Sequence, residues 1–161
     1  VETKGVGEMV AEAARGLEEV AGEVEAWETE RVLDGEFDAG ACAVTITAGA
    51  GGTDAQDWAG MLLRMYVRYI ERKGFSCSEA DRSDGEEAGV KSVTVEVRGE
   101  YAYGYLRAER GNHRLVRISP FNAQSKRQTS FASVEVVPVL DDEAAKEVEL
   151  DEGDLEVTTM R

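Results

Sequence analysis

A chain of 161 residues, 42% hydrophobic and 32% charged, can build one domain with a sizeable core and matches neither a disordered nor a membrane-embedded composition. Eighteen basic against thirty-three acidic residues leave a net charge of −15, which argues against a nucleic-acid partner unless the basic residues are gathered in one place. No apolar run nears the roughly 20 residues of a membrane helix and no secretory leader opens the chain, while Cys42 and Cys77, with no CxxC pair, suit two buried thiols better than a disulfide framework.

To about Leu33 the chain reads as an acidic helix. Val10, Ala13, Leu17, Val20, Val24 and Trp27 recur at alternating spacings of three and four, a heptad seam that packs lengthwise against another helix. No second long helix accompanies it, so its partner is expected outside these residues. Gly35 is the stop signal. Cys42, Val44, Ile46 and Ala48 alternate with small or polar neighbours as a strand does. After the glycine turn of residues 49–52, Thr53 and Gln56 stand at capping-box spacing with Asp54 in the first turn, so a helix begins here. Its expected apolar face is Trp58, Met61, Leu62, Met65, Tyr66, Tyr69 and Ile70, and Arg72, Lys73 and Gly74 close it.

Residues 75–80 are expected as a short strand, residues 83–89 as a turn, and Val93, Val95 and Val97 as a clear strand. Residues 101–109 have helical spacing and stop at Gly111. Strands at 114–118 and 131–137 flank a polar loop from Ser119 to Ser130, and nine acids mark the tail from Asp141. The fold class is α+β, a mixed or antiparallel sheet backed by helices. Residues 1–38 form a helical arm, 39–140 the main domain and 141–161 an acidic connection.

Chemistry-bearing patterns are few. His113 is the single histidine and has no recognisable nucleophile beside it, which suits a structural role better than a triad. No Cys/His cluster has metal-ligand spacing, and the glycine turn lacks the Lys-Ser/Thr ending of a P-loop. Neither a metal nor a cofactor is expected. Between Arg98 and Arg127, however, seven basic residues face two acidic ones. The loop adds Ser119, Asn122, Gln124, Ser125, Arg127, Gln128, Thr129 and Ser130, side chains able to hydrogen-bond the edges of unpaired bases. The N-terminus of the helix at Thr53 offers free N–H groups as well. Both features also suit an ordinary solvated surface.

The strings AGAGGTDAQDW (residues 48–58), EYAYGYLRAERGNHRLVRISPF (100–121) and RQTSFASVEV (127–136) closely resemble the bacterial-type peptide chain release factor 2 family, in an ordered match from about Glu23 to the last residue. The resemblance implies reading of the stop codons UGA and UAA by the tripeptide Ser119-Pro120-Phe121. Ser119 would contact the second base, and a hydroxyl that can donate or accept suits either purine. By the same resemblance Gly51 and Asp54 recognise the first-position uridine, and Thr129 and Val116 shape the third-base site. Gln128 stands where the family has a histidine that stacks between bases, and Asn122 where it commonly has an acid. These two departures look like the plastid and cyanobacterial branch and point to a chloroplast, otherwise to the cytoplasm or a mitochondrion. No Gly-Gly-Gln, the family's hydrolytic signature, occurs in these residues. The expectation is therefore a chain with no hydrolytic chemistry of its own that meets the ribosome and the mRNA stop codon, with rRNA and a helix for the seam as further contacts. A non-catalytic relative that binds the ribosome or plastid transcripts is the other reading the resemblance leaves.

Overall fold

The computed structural model describes residues 2–140, without the side chains of residues 2–6, 26 and 30. In chain order it comprises α1 (Glu2–Val32), β1 (Cys42–Ala48), α2 (Thr53–Arg72), β2 (Ser76–Asp84), β3 (Val90–Arg98), α3 (Ala102–Leu106) with a 3₁₀ turn over Arg107–Glu109, β4 (Gly111–Ile118) and β5 (Arg127–Pro138). The class is α+β, as the sequence implies. The acidic segment 141–161 lies outside the described residues.

The five strands form one sheet in the order β2-β3-β1-β5-β4, with every pairing antiparallel. Cys42, Val44 and Ile46 of β1 lie opposite Val97, Val95 and Val93 of β3, and Val44 and Ile46 lie opposite Val136 and Val134 of β5. All of them are buried on one face. Strand alternation at period two makes that face apolar, and α2 covers it. The helix buries Ala55, Ala59, Leu62, Tyr66 and Ile70 there. Relative to the expected apolar face, Met65 is exposed, and Ala55 and Ala59 join the core. Alanine carries little hydrophobic signal, yet it is what fits where helix and sheet approach most closely.

Several expected boundaries move. The capping box at Thr53 and Gln56 does not form: Gly52 is the N-cap with no side-chain cap, and the Gln56 Oε1 accepts the Glu86 N–H instead. That contact belongs to the β2–β3 turn, which leans on α2 so closely that a Cβ on Gly89 (φ +68°) would overlap the Gln56 carbonyl. β2 runs to Asp84, well past the expected end at residue 80 and into the expected turn. Each of its residues is exposed, so an edge strand held by its ladder to β3 shows no alternation to read. β4 and β5 begin at Gly111 and Arg127, earlier than expected, which shortens the polar loop to residues 119–126. Ser119 N–H closes that loop on the Lys126 carbonyl. Cys42 is buried as expected, but Cys77 is exposed on β2, with β3 between the two thiols.

α1 forms over the expected span, and its seam residues Val10, Leu17, Val20, Val24 and Trp27 are 43–71% exposed. Among the described residues nothing covers them. The chain then turns through residues 35–40 onto α3, where the N–H groups of Tyr101, Tyr103 and Gly104 donate to the carbonyls of Ala39, Gly40 and Asp38. Asp38, 1% exposed, pairs with Arg107 at 2.9 Å and accepts the Gly35 N–H at 3.0 Å.

Candidate nucleic-acid interface

The glycine turn between β1 and α2 is pinned to β5, with Gly49 N–H donating to the Phe131 carbonyl at 2.8 Å. Gly51 has φ +135°, and a Cβ there would press on Ala55 and Ser130, so glycine is required by both conformation and space. The turn delivers the first residues of α2 to the surface. The Ala55 and Gln56 N–H groups bond back to the Gly52 carbonyl, while those of Thr53 and Asp54 have no acceptor among the described residues. Two free amides at the positive end of a twenty-residue helix are an anion- or carbonyl-binding tip.

Opposite this tip stands the loop between β4 and β5. Gly51, Thr53, Asp54, Ser119, Phe121, Asn122, Ala123 and Gln128 line one open groove of about 390 Å³. Ser119 is 3% exposed; its Oγ donates to Asp54 Oδ2 at 2.6 Å and accepts the Phe121 N–H at 3.1 Å. Phe121 is 42% exposed, so this ring faces outward instead of filling core. The Asn122 side chain accepts the Gln124 N–H at 2.8 Å and stiffens the loop. The basic residues at the loop's end, Lys126 and Arg127, have no ion-pair partner among the described residues.

The expected site residues divide between two faces. Gly51, Asp54, Ser119, Phe121 and Gln128 meet in the groove, and Pro120 lies exposed between Ser119 and Phe121. Val116 and Thr129 are register partners across β4 and β5. Strand alternation puts them on the face opposite Arg117 and Gln128, away from the groove lining.

Two residues that support the groove were not singled out in the sequence. Arg117 reaches from β4 to α2, binding Asp57 at 2.6 Å and lying 3.5 Å from Asp54 Oδ1. It shares a strand face with Leu115, so its head must be satisfied indoors, and Asp54 and Asp57 sit three apart on the helix above it. That inward parity was the available signal. The basic cluster is therefore partly structural: Arg98 pairs with Glu96, Arg107 with Asp38 and Arg117 with Asp57. His113 is structural as well, its Nε2 donating to the Glu109 carbonyl at 2.9 Å with its ring edge-on to Tyr66. Tyr66 in turn donates to Glu109 at 2.9 Å, and burial with that carboxylate beside it pushes the phenol well above its ordinary pKa.

The sequence model of the PCRF domain family matches residues 2–134. The chain belongs to the PCRF domain family. Its relatives in the family include peptide chain release factor 2 of Chloroflexus aggregans, 53% identical over 160 residues that make up 99% of this chain and 43% of that one. Peptide chain release factor 2 of Thermosipho africanus is 53% identical over 89% of this chain and 38% of its own. Among solved structures, RF2 of Thermus thermophilus superposes with a TM-score of 0.76 at 46% identity, covering 91% of this chain and 41% of that one. The release factor 2 resemblance read from the motifs is borne out, as is the α+β class. The chain spans about two fifths of the length of these release factors.

Proposed function

We propose that this PCRF domain reads a stop codon in messenger RNA on the ribosome, as the codon-recognition part of translation termination by a type 2 release factor. One observation carries the reading: the free amides of the α2 tip and the loop of Ser119-Pro120-Phe121 converge on a single groove. The amides of Thr53 and Asp54 suit the carbonyl edge of a first-position uridine. Ser119 suits the second purine, and Gln128 supplies an amide face at the rim where a stacking ring would otherwise stand. Lys126 and Arg127 suit the phosphates of the codon or of ribosomal RNA. Val116 and Thr129 would meet the third base only if the RNA wraps over the β4–β5 edge.

No Gly-Gly-Gln occurs in the 161 residues, so we place codon reading here and no hydrolytic step. The exposed seam of α1 is read as the dock for another helix. A chloroplast setting rests on Asn122 and Gln128 alone. Removing the Ser119 hydroxyl tests the assignment. Ser119→Ala is expected to weaken binding to UGA-programmed ribosomes about tenfold, the loss of one hydrogen bond in a desolvated site; unchanged affinity would refute the placement of the second base.

A further inference from the structure

Ser119 has one hydroxyl hydrogen and two lone pairs. The hydrogen is committed to Asp54 Oδ2 at 2.6 Å, a short charge-assisted bond, and one lone pair is taken by the Phe121 N–H. What remains for a ligand is a single acceptor. The partner that fixes this state is itself held. Among the described residues, Asp54 Oδ1 is buried with no hydrogen-bond donor of its own, and its cation is the Arg117 guanidinium at 3.5 Å, already bound to Asp57 at 2.6 Å. The Nε of Arg117 is likewise buried without an acceptor. One cation is thus shared unequally by two carboxylates, and the underserved one draws the serine proton.

We infer that Asp54 and Arg117 set the donor–acceptor state of Ser119, so that the hydroxyl meets a base as an acceptor and favours the exocyclic amine of adenine over the O6 of guanine. The inference rests on the codon-reading proposal and adds to it the choice between two purines. To pair with guanine O6, the hydroxyl must withdraw its hydrogen from Asp54. The strength of that grip decides how far the two purines differ. Arg117 acts through Asp54 and is a positioning residue.

The test is the ratio of affinities for ribosomes programmed with UAA and with UGA, measured at equilibrium with the protein and its variants. Asp54→Asn replaces the carboxylate by a weaker, neutral acceptor that can also donate, and the ratio is expected to move about tenfold toward UGA. Arg117→Gln removes the cation that competes for the charge of Asp54, tightens the hold on Ser119 and moves the ratio toward UAA. Arg117→Lys keeps the charge and restores the wild-type ratio. A merely structural role would weaken both codons by one factor and leave the ratio unmoved in every variant, which would overturn the inference. Asp54→Asn is isosteric and keeps the measurement decisive where Arg117→Gln does not fold. Wild-type binding indifferent to stop and sense codons would instead sink the codon-reading proposal beneath it.

Discussion

Asp38 fixes the turn between α1 and the sheet domain. It is almost wholly buried, and its charge is balanced by Arg107 and the Gly35 N–H. Arg107→Ala would leave a buried carboxylate short of its cation. It is expected to lower stability by about 1–3 kcal/mol in urea unfolding, with Arg107→Lys recovering part of the loss; an unchanged midpoint would show that the pair contributes nothing. Cys42 is another buried titratable group. Burial pushes its thiol from 9.0 up to about 12, so the folded protein keeps a proton that the unfolded chain gives up. The stabilisation is complete below about pH 9 and declines as pH rises toward 12. In native protein a thiol reagent is expected to label Cys77 alone, with Cys42 reacting only after unfolding. Rapid native labelling of both would contradict the burial. The Asp38–Arg107 pair was not readable from residue type, since Arg107 appeared only as one positive charge among seven. The burial of Cys42 was, because it alternates with Val44 and Ile46 on one strand face, whereas the wholly exposed β2 gives Cys77 no such pattern.

Elements with a one-sided apolar pattern were legible, and elements without one were not. β1 and β3 alternate cleanly because one sheet face is core, and α2 shows its stripe because it covers that face. β2 has no buried residue and so no pattern. Its ladder to β3 makes it a strand, and the Arg82 pairs with Glu79 and Asp84 keep that edge charged and resistant to further pairing. The β2–β3 turn depends on Gly89, whose positive φ and contact with the Gln56 carbonyl both exclude a side chain. Gly89→Ala is expected to cost at least about 1–3 kcal/mol, seen as a lower thermal midpoint; no change would mean that the turn does not rest on α2. α1 was legible as a helix, while the partner for its seam was not, since a seam specifies geometry and not identity. Trp27, 66% exposed on that helix, should be readily quenched by acrylamide, unlike the half-buried Trp58, whose indole donates to the His113 carbonyl.

At the scale of the whole molecule, net charge is a poor guide. The excess of acid does not exclude RNA, because the groove offers helix-tip amides, hydroxyls and side-chain amides, with Lys126 and Arg127 free of ion pairs among the described residues. Contacts to phosphate by those two residues should leave only a shallow dependence of binding on salt. The motifs marked Gly51, Asp54, Ser119, Phe121 and Gln128, and folding brings these five together across more than seventy positions of sequence. Strand parity, which no motif encodes, turns Val116 and Thr129 to the other face and turns the part-buried Arg117 toward α2 beneath the site. The most direct measurement is the affinity of the protein for ribosomes carrying UGA or the sense codon CGA, which differs only at the first base, in the decoding site. Codon reading by the groove predicts binding at least about tenfold tighter to UGA, since one well-placed hydrogen bond in a desolvated site suffices for that ratio; equal affinity for the two codons would contradict it.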